Sequence, residues 1–293
     1  MAHAQDRRTG GMLAGPGLAF PASLVVLLII VAPMLMLLVG SFQVAAPGAV
    51  AHAGFTLQSY RRFFTDPFYL KIFGDTVWVS ALCTGLALVL GFPVAYFLAR
   101  TRSRYKSLLI ILLVFPLLVG NVVRAAGWMI ILGNAGAINA LLTWLGLIGQ
   151  PLRLLYTPAA VVVGTTGVVL PYFILTLQSV LEGIDFSVEE AAQNLGASFF
   201  TTFLRVILPI SAPGVAAGTV LVFILCMNAY ATPVLLGGTG LTMMAPALYD
   251  QITKASDWAF GSALAWILVI ATLLMALLSH WLINRRYVKT MAA

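Results

Sequence analysis

The chain has 293 residues, of which 61% are hydrophobic and 9% charged, and its mean hydropathy is +1.02. An ordinary soluble domain carries about 25% charged residues, so this composition excludes one and defines an integral membrane protein. The formal net charge of +7 would suit a nucleic-acid binder, but the basic residues stand at the ends of apolar runs rather than in one patch laced with aromatics; membrane orientation explains them, and no nucleic-acid partner is expected.

A crossing helix needs about 20 apolar residues to span about 30 Å of hydrocarbon. Residues 1–17, polar and Gly-rich with Arg7 and Arg8, read as a tail. The first span covers 18–42, with Pro33 as a candidate kink. Residues 43–72 read as an external loop bearing Arg61, Arg62, Asp66 and Lys71, with a short surface helix around FTLQSYRRFF. The second span covers 74–99 and opens on Asp75 and Thr76, either as a helix cap or as part of a solute path. RTRSRYK, residues 100–106, reads first as a topological anchor and second as a site for acidic lipid headgroups. The third span covers 107–124. Residues 125–153 stay apolar but are interrupted by Gly127, Gly133, Gly136, Gly146, Gly149 and Pro151, which predicts short external helices or a re-entrant segment. The fourth span covers 157–181 and the fifth 212–236. An external loop at 238–258 carries Asp250, Lys254 and Asp257, and the sixth span covers 259–283 before a tail at 285–293. His280, near the inner end of that span, reads as an interfacial histidine. Cys83 and Cys226 lie inside apolar runs without CxxC spacing, so neither a disulfide nor a metal site is expected.

The spans predict an all-α polytopic protein of six transmembrane helices with both termini on one side. Ten basic residues share that side (Arg7, Arg8, Arg100, Arg102, Arg104, Lys106, Arg205, Arg285, Arg286, Lys289) against five opposite (Arg61, Arg62, Lys71, Arg153, Lys254), with Arg124 in the membrane. The excess of positive charge places both termini, and the insert at 187–209, in the cytoplasm.

That insert, SVEEAAQNLGASFFTTFLRVILP, is polar and then amphipathic. Ser187 and Glu190 are spaced as a capping box, and Glu189 and Glu190 fall in a first helical turn, where the helix dipole favours acids. Ala191, Ala192 and Leu195 continue one face. Gly196 suits a left-handed turn, after which a second short helix runs from about residue 198 until Pro209 ends it. Phe199, Phe200, Phe203 and Leu204 on that helix call for an apolar partner. Glu190, Ala191, Ala192, Gly196, Leu208 and Pro209 fall in register with the pattern E-A-A, three residues, G, nine residues, I, one residue, L-P, with Val206 at the isoleucine position. The segment therefore resembles the EAA loop of binding-protein-dependent ABC importer permeases, a cytoplasmic coupling helix that docks on the ATPase subunit, and the resemblance assigns ATPase coupling to these residues together with Glu189.

The chemistry of other functions is missing from the sequence. None of the four lysines follows a glycine as a phosphate-binding loop requires, and no HExxH, GxSxG or intramembrane acid pair is present. No cofactor and no enzymatic activity are expected of this chain. A secondary carrier would be expected to hold coupling carboxylates at mid-membrane. Polar residues inside spans nominate a substrate path or gate: Asp75, Asn121, Arg124, Trp128, Tyr172, Asn228 and Tyr230, each also readable as a structural or interhelical hydrogen-bonding residue. For Arg124 the structural readings are snorkelling or pairing with Asp75.

The resemblance continues through VVRAAGWMIILGNAGAINALLTWLGLI, PLRLLYTPAAVVVG, LPYFILTLQSVLEGID and PVLLGG, over roughly 55–284, and is to permeases of the spermidine/putrescine importer group. It implies the type I ABC importer permease fold, with a permease core at 73–284 behind the first span and external loop at 18–72. It also implies residence in the bacterial inner membrane, and three kinds of partner: a second, homologous permease in a heterodimer, two ABC ATPase subunits that bind the ATP and Mg, and an extracytoplasmic solute-binding protein. The implied solute is a polyamine, with iron, thiamine, opines or phosphonates as alternatives within the family. An ATP-independent channel or carrier is the alternative outside it.

Overall fold

Runs this apolar must satisfy their backbone groups internally, and they do so as helices. The computed structural model describes residues 14–44, 54–238 and 240–291; the tail expected before residue 14, and the side chains of His280, Arg285, Arg286 and Lys289, lie outside the described residues. The helices are α1 (Ala14–Ser41), α2 (Gln58–Thr65), α3 (Pro67–Arg100), α4 (Lys106–Leu118), α5 (Asn121–Leu132), α6 (Ala137–Trp144), α7 (Pro158–Glu182), α8 (Ser187–Asn194), α9 (Phe199–Thr202), α10 (Leu208–Ile210), α11 (Ala212–Met227), α12 (Ala231–Gly237), α13 (Met244–Thr253) and α14 (Trp258–Met291). A π-helical turn, Phe203–Ile207, joins α9 to α10.

Helix α7 is the centre of the bundle, packed between α3 and α11. Its buried face, Val161, Val169, Phe173, Ile174, Leu177 and Leu181, meets Val79, Cys83, Ala87, Phe92 and Ala95 of α3 and Val222 and Cys226 of α11. A second cluster forms where α2, the start of α3, the end of α11, α13 and α14 meet, around Phe63, Tyr69, Phe223, Met227, Met244, Phe260 and Leu264. Most of α1 remains exposed, from Leu24 to Ile30 and at Met36, as a helix facing lipid on most sides must be.

Polar contacts fasten the end of the bundle opposite the insert. Asp66 caps α3 by accepting the Phe68 N–H at 2.9 Å, and Asp257 caps α14 by accepting the Phe260 N–H at 3.0 Å. Arg62 pairs with Asp257 at 3.2 Å and lies 4.2 Å from the Phe260 ring centroid. Buried Thr76 accepts the N–H of Met244, the first residue of α13, at 2.9 Å while donating to Ile72. Replacing it by the near-isosteric Val would leave that buried N–H unpaired, at a cost of about 1–3 kcal/mol. We expect Thr76→Val to lower the thermal midpoint of the detergent-purified protein and Thr76→Ser to leave it near wild type; equal midpoints for the two would exclude the hydrogen bond as the cause.

Several boundaries differ from the sequence expectation. The second span begins at Pro67 rather than near 74, so Asp75 and Thr76 lie in the third turn of α3 and neither caps it. The third crossing is divided: α4 has 13 residues, about 20 Å of rise, too short to cross alone. Gly120 is extended between α4 and α5. The apolar stretch Asn121–Trp144, expected as short external or re-entrant pieces, is long enough to cross. The fifth span stops at Met227 and resumes as α12. The external loop at 238–258 contains α13, and the last helix continues through the expected tail to Met291. Among the described residues five helical stretches are long and apolar enough to cross a membrane, and Phe199–Ile210 with Ala212–Met227, bent by 69°, makes a sixth if taken as one span.

Candidate functional site

The insert leaves α7 at Gly183 and re-enters the bundle at α11. Helix α8 starts as expected at Ser187, but the capping box does not form. Asp185 accepts the Ser187 N–H at 2.9 Å, which takes Ser187 into the helix and away from Glu190. That bond holds the Asp185 carboxyl below its usual range. Helix α8 ends as the sequence predicts: Gly196 has φ +89°, and Ala197 returns its N–H to the Ala192 carbonyl at 3.1 Å, a glycine C-cap. Ser198 then caps α9, accepting the Thr201 N–H at 3.3 Å. Pro209 does not end the helix. It has no N–H, and its ring would collide with the carbonyl four residues back; the π turn just before it shifts the ladder, and the helix continues to Ile210.

The two adjacent glutamates part company. Glu189 is 1% exposed and both of its oxygens are held. Arg100 reaches Oε1 through Nε at 2.7 Å and Nη2 at 2.5 Å, and the Tyr96 hydroxyl donates to Oε2 at 2.7 Å. Arg100 also donates from Nη1 to the Ile184 carbonyl at 3.0 Å, and its guanidinium lies 5.8 Å from the Phe186 ring. Lys106 and Glu182 add an ion pair at 2.9 Å. Phe203 packs edge-on against Phe92 and Tyr96, and Thr202 and Ile207 are buried. The insert is thus bolted to the end of α3.

Its other face has no partner among the described residues. Glu190 and Ala191 are exposed, Leu195 is 90% exposed and Phe200 68%, and Val188, Phe199 and Leu204 join them. Leu208 and Pro209 are half-buried. An apolar patch of this kind, rimmed by polar residues, marks an interaction surface.

The nominated path residues are not gathered into one cluster. Arg124 donates from Nη2 to Asn121 Oδ1, not to Asp75, and its Nε and Nη1 are buried with no partner among the described residues. Trp128 packs on α7, where a Cβ on Gly167 would fall 2.8 Å from its Cζ2, so its role here is helix packing. Asn228 donates to the Ile224 carbonyl at 2.9 Å, closing the end of α11. Tyr230 meets Tyr249 in a tilted ring contact, centroids 5.0 Å apart. Tyr172 is half-buried on α7 and Asp75 half-buried on α3. Sequence reasoning missed Arg100 and Tyr96. Their four-residue spacing puts them on one face of α3, but the basic run around Arg100 hid the specific role behind an orienting one.

A bundle of membrane-crossing helices, interrupted by one anchored helical insert that offers an apolar face, defines a multi-pass membrane protein of transport-permease class. The chain belongs to the family described as binding-protein-dependent transport system inner membrane component, which it matches over residues 84–286, and it is a multi-pass inner-membrane protein. It is 35% identical over 253 residues to the spermidine/putrescine transport system permease protein PotB of Escherichia coli (strain K12), covering 86% of this chain and 91% of that one. To PotB of Haemophilus influenzae it is 33% identical, covering 79% and 82%. In three dimensions it superposes on a chain of a bacterial alginate ABC transporter, crystallised with an alginate-pentasaccharide-bound periplasmic protein, with TM-score 0.74 at 16% identity over 92% of this chain and 94% of that one.

Proposed function

We propose that this chain is the transmembrane permease subunit of an ATP-driven importer, and that residues 187–209 are where ATPase subunits engage it. The observation that carries this reading is the two-sided character of the insert, one face anchored through Glu189 and the other, with Glu190, Leu195, Phe199 and Phe200, open and apolar. The chain itself performs no ATP hydrolysis; two ATPase subunits supply the energy, a second homologous permease completes the path as a heterodimer, and an extracytoplasmic binding protein delivers the solute. Both termini and the insert face the cytoplasm, in keeping with the distribution of basic residues.

The solute is a polyamine, on the strength of the relatives' function. Asp75 suits one: a half-buried carboxylate without a partner among the described residues, with exposed Trp78 three residues on and on the same face of α3, pairs a negative charge with an aromatic face for an ammonium group. Membrane vesicles holding the whole complex should take up labelled spermidine only with ATP and binding protein present. Asp75→Asn should raise the KM for spermidine about tenfold, the scale on which removing a charged partner acts, with ATPase assembly unchanged. Uptake without ATP would instead reveal a channel or carrier. A second solute class is favoured by Arg124, whose two unpaired buried nitrogens suit an anion. Absence of spermidine uptake together with ATP-dependent uptake of an acidic solute would establish that class.

A further inference from the structure

Resting on the docking role proposed for the insert, we infer that Arg100 and Tyr96 are positioning residues that lock the insert to α3 through Glu189, so that a displacement imposed on the insert is carried by α3 to α13 at the opposite end of the bundle.

Three observations converge on this. The first is the form of the joint. The Glu189 carboxylate is buried, both of its oxygens are engaged, and Arg100 simultaneously holds the Ile184 carbonyl. Apolar contacts such as Phe203 on Phe92 resist separation but tolerate sliding. A charge-assisted contact of two guanidinium nitrogens with one carboxylate fixes direction and register as well.

The second is the rod to which the joint is made. Helix α3 continues for 34 residues, through Pro93 two turns before its end, about 50 Å in all, and its last turn carries Arg100. The third lies toward the other end of the same rod, where Thr76 accepts the Met244 N–H and Tyr69 accepts a hydrogen bond from Gln251 at 3.1 Å, both from α13. One helix therefore has directional polar fasteners to the insert at one end and to an outlying helix at the other. Glu190, one residue along, is exposed and has no partner among the described residues, so the acidic pair divides the labour: Glu189 holds the insert to its own subunit and Glu190 is left for another.

The test uses the complete complex with ATPase subunits and binding protein, spin-labelled at Gln193→Cys on the insert, four residues from Glu189 and away from the open apolar face, and at Lys71→Cys on α3, both exposed positions. With the lock intact the distance between labels should stay the same with and without ATP, because insert and α3 move as one body. In Arg100→Gln the complex should still assemble, the distance should become ATP-dependent, and stimulation of ATPase activity by loaded binding protein should fall about tenfold, within the usual range for coupling between sites. An assembled Arg100→Gln complex with an ATP-independent distance and normal stimulation would overturn the inference. Should Arg100→Gln fail to assemble, Tyr96→Phe, which removes one hydroxyl, is read on the same two measurements; failure of both to assemble would show a purely structural role and overturn it equally. Gly196→Val separates the layers: normal stimulation in that variant defeats the docking role itself, whereas its loss alongside a normal Arg100→Gln defeats only the lock.

Discussion

Gly196→Val should abolish ATP-driven uptake and binding-protein-stimulated ATPase activity while leaving the protein inserted in the membrane. The residue sits at φ +89°, a conformation that costs an L-residue about 1–2 kcal/mol and is a genuine outlier for a β-branched one. Nothing lies within 4 Å of where a Cβ would be, so the substitution acts through backbone conformation alone, without steric collision. The chain must then leave the left-handed region, and the turn between α8 and α9 opens. Leu195 and Phe199, which flank that turn and are both exposed, lose their relative placement, and the surface they form ceases to match a partner. A cost of about 1.4 kcal/mol reduces the competent population about tenfold, so Gly196→Ala should retain a measurable fraction of activity and Gly196→Val very little. Asn enters the left-handed region far more readily than other side chains, and Gly196→Asn should therefore keep most of the transport rate. Uptake in vesicles, normalised to the amount of inserted protein, checks the series Gly, Asn, Ala, Val. If Asn proves as damaging as Val, backbone conformation is not what the position supplies.

The parts of this molecule that could be read from sequence are those fixed by local chemistry. Apolar runs of some twenty residues declared the crossings, and Gly196 declared its turn. The breaks inside crossings were not legible. Between α4 and α5, and again where α11 gives way to α12 around Asn228 to Tyr230, apolar residues run on both sides with only isolated polar ones among them, so no amphipathic period marks where one helix stops and another starts. The cap of α8 was misassigned for a different reason. Ser187 and Glu190 have the right spacing, but Asp185 lies two residues earlier with a stronger acceptor, and the nearer carboxylate takes the N–H. The candidate site was legible on its outward face and obscure on its inward one. Successive residues on a helix point about 100° apart, so of Glu189 and Glu190 one had to turn inward, but only the position of Arg100 at the end of α3 decides which.

Gly91→Leu should be strongly destabilising. The ring of Phe173, fully buried on α7, is held between glycines of its two neighbours: a Cβ on Gly91 of α3 would fall 2.6 Å from Phe173 Cδ1, and one on Gly218 of α11 would fall 3.0 Å from Cδ2. Between helices in lipid the hydrophobic drive is weak, and close approach of backbones at small residues supplies much of the packing. A leucine on one side is not relieved by tilting the ring, because Gly218 of α11 already stands close on the other side, so α3 must separate from α7. Overpacking of this kind costs about 1–3 kcal/mol or more. The expected signature is a lowered unfolding temperature in detergent, with Phe173→Ala in the same chain recovering part of the loss, because the two changes act on one volume and should not add. Strict additivity would show that the ring is not the obstacle. The consequence reaches beyond stability: α7 passes through Glu182 and Gly183 directly into the insert, and the Lys106 and Arg100 contacts at its end depend on the spacing that Phe173 sets between α7 and α3. Gly91→Leu should therefore also weaken the response of the ATPase to loaded binding protein in complexes that survive purification, although the substituted residue lies more than two helical turns from Arg100 along α3.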